Sequence, residues 1–178
     1  INNLVDITNY VMLESGQPLH AFDFDTLKDH AIVVRRPRTD EKELVTLDGS
    51  SRSLEADTLL ICDAEKPVAL AGVMGGLNSE ITAKTTSVLL ESACFDPLSI
   101  RRTARRLGLP SEASYRFERG VDPDLADKAL QRAVDLMVEL TGAQADPDGH
   151  DLYPGKKPLL AVPLRMGRLK TLVGMEIP

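Results

Sequence analysis

The sequence predicts an α+β fold, in which sandwich-like, mostly antiparallel sheets are flanked by helices. Short β-branched runs follow one another between residues 31 and 73, and three helical segments follow residue 96. A helical pattern at the N-terminus precedes both regions. Because the strands and the later helices occupy separate stretches of the chain, the pattern favours an α+β architecture.

The first predicted element is a helix. From Asn2 to Leu13 the apolar residues recur at roughly helical spacing. Gly16-Gln17-Pro18 then ends the helix, since glycine favours the left-handed backbone that closes a helix and proline cannot continue it.

Apolar runs predict the strands that follow. Four of them lie at residues 32–34, 44–47, 59–61 and 68–71, with a turn signal at Asp48-Gly49. A fifth run, at 87–95, is continuously apolar apart from a few residues, which predicts a strand buried on both faces.

Each later helix carries its own start and stop signals. The first runs from about Asp96, ahead of Pro97, to Leu107. The second runs from Ser111 to about Arg119, and the third extends over 122–142, where a glycine ends it.

Composition divides the chain into three parts. Residues 1–145 form one predicted module, 146–158 are rich in proline, glycine and charge and predict a linker, and 159–178 are predicted to be the truncated start of a following domain. Since the chain begins at Ile1 without an initiator methionine or a signal peptide, we expect it to be excised from a longer protein.

Composition also restricts the function classes. The apolar runs are too short to cross a bilayer, and Cys62 and Cys94 lie in strand-like runs without the spacing of a metal site, so we expect buried, reduced thiols. The net charge of −6 means that a nucleic acid would have to bind a local basic patch. The three histidines, His20, His30 and His150, are far apart in sequence, so any catalysis is predicted to need no metal.

Three features are candidates for chemistry. Glu91 lies within the most apolar predicted strand, where a carboxylate is costly unless it is paired or faces a cavity. His20 follows the end of the first helix and fits either a function or an ordinary surface or core position. The Gly-rich stretch 71–76 lacks the residues of a nucleotide-binding loop, so it is either a tight turn or a place where backbone approaches a ligand.

Four arginines form a basic ridge on the helix that follows Asp96. Arg101 and Arg105 stack along one stripe of the helix and Arg102 and Arg106 along the next. This arginine ridge fits phosphate groups, although a solvated face balanced by nearby acids would have the same pattern.

Four sequence blocks together resemble one family. They are NLVDITNYV at 3–11, GQPLHAFD at 16–23, AGVMGG at 71–76 and SEASYRFERGVDP at 111–123. In this order they resemble the editing module of the bacterial phenylalanyl-tRNA synthetase β chain. The resemblance covers about four fifths of the chain, and the tail is similar to the helix-turn-helix-like domain that follows in the family.

The resemblance implies a pocket that recognises tyrosine wrongly attached to phenylalanine tRNA. The glutamate that binds the tyrosine hydroxyl in the family corresponds to Glu91, and the pocket glycines correspond to Gly72 and Gly75. The family's Thr and Ala pair corresponds to Ser111 and Ala113, where serine keeps the hydroxyl but lacks a methyl group.

The resemblance also implies catalytic residues and partners. His20, Thr8 and Asn9 match the positions that would hold the attacking water or face the terminal adenosine. The implied partners are phenylalanine tRNA and the synthetase α chain in an α2β2 assembly in the cytoplasm. This chain itself implies no cofactor, whereas the whole synthetase uses ATP and magnesium.

Two alternatives remain at the level of sequence. The chain could be a non-catalytic RNA-binding and structural domain of the same synthetase, with the arginine ridge docking tRNA. A metal-dependent hydrolase using Glu91 and His20 is the weaker alternative, because two ligands do not make a metal site.

Overall fold

The computed structural model describes residues 2–156, 158 and 161–175. The chain divides into two compact units, residues 1–145 and 146–178. The parts of the linker and tail expectations that concern Lys157, 159–160 and 176–178 lie outside the described residues.

The first unit has the α+β fold that the sequence predicts. Its helices are α1 (Asn3–Ser15), α2 (Pro97–Arg106), α3 (Glu112–Phe117) and α4 (Ala126–Thr141), with short 3₁₀ turns between elements. Its strands are β1 (Leu19–Asp23), β2 (Val33–Arg35), β3 (Glu43–Val45), β4 (Ser51–Ser53), β5 (Leu60–Cys62), β6 (Pro67–Leu70), β7 (Met74–Gly75) and β8 (Val88–Ser92). All strand pairs are antiparallel, in a four-stranded sheet of order β2-β5-β6-β7 and two pairs, β1-β8 and β3-β4.

The β1-β8 pair is a ribbon between two apolar clusters. Leu19 and Leu90 pack against the cluster formed by α1 and α4, whereas Phe22 and Leu89 belong to the larger core that contains β5 and β6. Successive side chains along a strand point to opposite faces, so neighbouring residues of the ribbon reach different clusters. The ribbon therefore joins the helical layer to the main sheet.

Two expectations about the 87–95 run are wrong. The strand ends at Ser92 and all five of its residues are half-buried. Cys94 lies beyond the end of the strand and is exposed, whereas Cys62 is fully buried; both are free thiols. Burial raises the pKa of Cys62 to about 11.

Local signals set the helix ends. Gly16 and Gly142 close α1 and α4 with φ values of 82° and 70°, in the left-handed region that glycine tolerates best. At the start of α2, the Asp96 side chain accepts a hydrogen bond from the Ser99 backbone N–H at 2.8 Å. These ends agree with the sequence expectations to within about two residues.

The second unit contains one helix, α5 (Met166–Val173), within its described part. None of the α5 residues is buried. In the described part of the chain, no helix is both long enough and apolar enough to cross a membrane.

Candidate functional site

A cavity of about 80 Å³ opens beside the β1-β8 ribbon. Its walls are mostly apolar and come from the ribbon, from β5, β6 and β7, and from α3. The lining residues that the sequence singled out are His20, Gly72, Gly75, Glu91 and Ala113. The fold thus gathers five of the eight predicted pocket and catalytic residues around one cavity.

Glu91 is the acidic residue of this cavity. Its Oε2 atom is buried and has no hydrogen-bond partner among the described residues. Burial raises the pKa of the Glu91 carboxyl to about 8, so the neutral acid predominates at pH 7. A neutral carboxyl group can both donate and accept a hydrogen bond, which suits a hydroxyl ligand.

His20 lies directly opposite Glu91 in the antiparallel register of the ribbon. The His20 and Phe22 rings pack in a T-shaped arrangement, with a centroid distance of 4.4 Å and an interplanar angle of 87°. Burial lowers the pKa of His20 to about 4, which keeps the imidazole neutral at pH 7. A neutral imidazole can accept a hydrogen bond from water on one ring nitrogen.

At Gly72 and Gly75, side chains from other parts of the fold occupy the space that a Cβ atom would need. Gly72 has a φ of 66°, and a Cβ there would lie 2.9 Å from a ring carbon of Phe95 and 3.1 Å from one of Phe117. A larger residue at position 72 would therefore be strained and would displace the aromatic rings. Both glycines line the cavity, and the approach of a ligand to their backbone stays a prediction.

Ser111 supports the cavity wall without lining it. Its Oγ donates to the carbonyl oxygen of Val73 at 2.7 Å and accepts from the backbone N–H of Ser114 at 3.0 Å. The side chain thereby caps α3 and ties this helix to a residue that does line the cavity.

Thr8 and Asn9 lie on α1, apart from the cavity lining. Thr8 is buried and its Oγ1 donates to the carbonyl oxygen of Val5 at 2.8 Å, within its own helix. Asn9 is exposed. Their assignment as catalytic residues stays a prediction.

Comparison with known proteins places the chain in a family. A sequence model described as the B3/4 domain matches residues 1–142. The chain belongs to the B3/4 domain family.

Relatives of this B3/4 domain share most of its sequence. The protein named phenylalanine–tRNA ligase beta subunit of Desulfotalea psychrophila is 58% identical over 99% of this chain and 22% of its own length. Proteins of the same name from Moorella thermoacetica and Geobacter sulfurreducens are 54% and 51% identical, again over 99% of this chain and 22% of their own length. The resemblance seen in the motifs is confirmed, and the chain spans about a fifth of the length of these relatives.

The arginine ridge of the B3/4 domain is not uniform. Arg106 donates to Asp57 Oδ1 and to Thr58 Oγ1, each at 2.6 Å, and this pairing lowers the pKa of Asp57. Arg101, Arg102 and Arg105 are exposed and make no ion pair within the described residues. These three residues carry the part of the ridge's charge that no ion pair among the described residues neutralises.

Sequence reasoning missed the apolar walls of the cavity. Ile61, Ala69, Leu70, Met74 and Phe117 line it, yet in the sequence they are indistinguishable from ordinary core residues. Within the described residues, no group of three or more His, Cys, Asp or Glu side chains is arranged to hold a metal ion.

Proposed function

We propose that this B3/4 domain removes tyrosine wrongly attached to phenylalanine tRNA, by hydrolysing the ester bond between them. The observation that supports this most is the buried, unpaired Oε2 of Glu91 in a mostly apolar cavity. The names of the relatives support the same proposal, since each is a beta subunit of phenylalanine–tRNA ligase.

The cavity would separate tyrosine from phenylalanine through one hydrogen-bonding group. The apolar walls accept either ring, and the Glu91 carboxyl then exchanges a hydrogen bond with the phenol O–H of tyrosine. Phenylalanine would leave the buried carboxyl oxygen unpaired, at a cost of about 1–3 kcal/mol. A site that rejects the correct amino acid in this way complements a synthetic pocket that distinguishes the two poorly.

Hydrolysis requires a water held against the ester carbon. His20 is neutral at pH 7 and lines the same cavity as Glu91, so it is the best placed residue to accept a hydrogen bond from that water. In the proposal Thr8 and Asn9 contribute to this positioning, and the ribose hydroxyl of the substrate assists the leaving oxygen. Orientation of the water then supplies much of the rate.

The proposal extends to the assembly in which the domain works. We infer a cytoplasmic synthetase in which the β chain that contains this domain pairs with an α chain as α2β2 and uses ATP and magnesium for aminoacylation. The names of the relatives support a subunit role, since a beta subunit implies a partner chain.

Glu91→Ala in the intact synthetase tests the function. We expect hydrolysis of tyrosyl-tRNA to fall by about tenfold or more, since the variant loses the one polar contact to the phenol, whereas aminoacylation with phenylalanine should be unchanged. Glu112→Ala is the control, because Glu112 is exposed and its side chain pairs with Arg116 outside the cavity. Equal deacylation by the Glu91→Ala variant and the wild type would refute the proposal.

A second candidate function is RNA docking without hydrolysis. It is favoured by the three free arginines of the ridge, Arg101, Arg102 and Arg105. A domain with this function alone would bind tRNA with strong salt dependence and leave tyrosyl-tRNA intact.

A further inference from the structure

Gln17 is a polar residue with no solvent exposure, and it precedes Pro18, which lines the cavity. It lies between the glycine that closes α1 and the first residue of β1. Its side-chain Nε2 donates to the carbonyl oxygen of Ala93 at 2.7 Å and to that of Pro18 at 3.2 Å. One amide group therefore joins the start of β1 to the chain just beyond β8.

The position of this contact matters for the ribbon. The last backbone pair at this end is Leu19 with Ser92, and the next pair along would be Pro18 with Ala93. Proline has no N–H, so the backbone of Pro18 cannot donate to the Ala93 carbonyl. The side chain of Gln17 makes that hydrogen bond instead, and so continues the β1-β8 pairing one step beyond the last backbone pair.

The extended pairing lies next to the proposed recognition group. Pro18 lines the cavity, and Glu91 and His20 form the pair that follows Leu19 and Ser92 along the ribbon. Among the described residues β8 has β1 as its only strand neighbour, so the position of β8 depends on the hydrogen bonds of this one ribbon. Loss of the hydrogen bond between Gln17 and Ala93 would allow Glu91 to shift relative to the apolar walls.

We propose that Gln17 is a positioning residue for the cavity, whose amide holds β1 and β8 together and so fixes Glu91 for recognition of the phenol hydroxyl. This inference rests on the proposed function of the cavity. Gln17 acts through the backbone carbonyls of Pro18 and Ala93 and does not line the cavity itself.

The test compares Gln17→Met with Ser92→Ala in the intact synthetase. Methionine keeps the length of glutamine but has no donor. Ser92→Ala is the matched control, because the Ser92 Oγ also joins β8 to a backbone carbonyl, that of Ala126 at 2.7 Å, but through the helical side of the ribbon. The measured quantity is the ratio of tyrosyl-tRNA to phenylalanyl-tRNA hydrolysis, together with the stability of each variant.

We expect Gln17→Met to lower this ratio by about fivefold or more, and Ser92→Ala to leave it unchanged even where both variants lose similar stability. In a Glu91→Ala background, Gln17→Met should lower the ratio no further, because a residue that acts through Glu91 has nothing left to position. Gln17→Glu keeps one hydrogen-bond donor when its carboxyl group is neutral. It should therefore lower the hydrolysis ratio less than Gln17→Met does.

The outcomes separate the two proposals. An unchanged ratio in Gln17→Met, or equal losses in Gln17→Met and Ser92→Ala, would overturn the positioning role while leaving the function of Glu91 intact. Additive losses in the double variant would also overturn it. If Gln17→Met does not fold, Gln17→Leu, which also removes the donor, decides between the same outcomes. No effect of Glu91→Ala by itself would instead remove the proposed function, and the positioning role with it.

Discussion

The imidazole of His20 occupies the space in which a side chain on residue 75 would lie. A Cβ added at Gly75 would be 2.6 Å from Cε1 of His20 and 2.8 Å from Nε2. Carbon and nitrogen atoms do not approach so closely without displacement. The position of the His20 ring in the cavity therefore depends on glycine at position 75.

Gly75→Ala should displace His20 and reduce tyrosyl-tRNA hydrolysis by about tenfold or more. The added methyl group should also lower the free energy of unfolding by about 1–3 kcal/mol, as overpacking of a core does. Deacylation kinetics and chemical denaturation measure the two effects. Gly149→Ala is the control, because nothing lies within 4 Å of a Cβ at that position. Wild-type hydrolysis by Gly75→Ala would show that the reaction does not need His20 in this place.

Burial should make the stability of the domain depend on pH in a specific window. The pKa of His20 falls from 6.5 to about 4 on folding, so the unfolded chain binds more protons between these values and stability rises with pH there. The pKa of Glu91 rises from 4.5 to about 8, so the folded protein binds more protons and stability falls with pH between these values. The two effects oppose each other up to pH 6.5, and above it that of Glu91 remains.

Between pH 6.5 and 8 we therefore expect the free energy of unfolding to fall by up to about 2 kcal/mol. Glu91→Gln, which cannot ionise, should remove this fall. Denaturation of the wild type and the variant at both pH values measures it. A fall of the same size in both proteins would assign the effect to another group.

Ser111→Ala should destabilise the domain by about 1–2 kcal/mol, the usual cost of losing an N-cap side chain. The variant would also leave the Val73 carbonyl oxygen without its 2.7 Å hydrogen bond. Ser111→Thr keeps the hydroxyl and should retain most of the stability, which makes it the matched control for chemical denaturation. Equal losses in the two variants would mean that the site responds to shape and not to the hydroxyl.

The arginines of the ridge should have two different roles, tRNA binding and stabilisation of the fold. Replacing Arg101, Arg102 and Arg105 with alanine should weaken tRNA binding and reduce the slope of its salt dependence by about one for each phosphate that is no longer neutralised. Arg106→Ala should instead cost about 0.5–1 kcal/mol of stability, through its pair with Asp57, and change the salt dependence little. Binding measured across a salt series distinguishes them. An unchanged salt dependence in the triple variant would remove the ridge from the RNA-binding surface.

Much of the local structure follows from short stretches of sequence. The ends of α1 and α4 at Gly16 and Gly142, and the start of α2 at Asp96, were predictable because a helix end depends on residues within a few positions of it. An acidic residue in an apolar strand likewise indicated that Glu91 is either paired or faces a cavity, and the structure has it in the cavity lining. The strand β1 was not predicted, since Leu19–Asp23 has no alternating pattern and gains its structure by pairing with β8.

The sequence alone determined the fold class, most of the helix ends and five of the residues that line the cavity, namely His20, Gly72, Gly75, Glu91 and Ala113. The tertiary structure decided that Glu91 is opposite His20, that β5 and β6 contribute to the apolar walls, and that Arg106 pairs with Asp57. The other ridge arginines make no ion pair within the part of the chain that the structure describes. It also left Thr8 and Asn9 on α1, apart from the cavity lining. The physical reason is that capping and turn formation depend on neighbouring residues, whereas strand pairing and cavity shape depend on contacts between distant segments that no local pattern encodes.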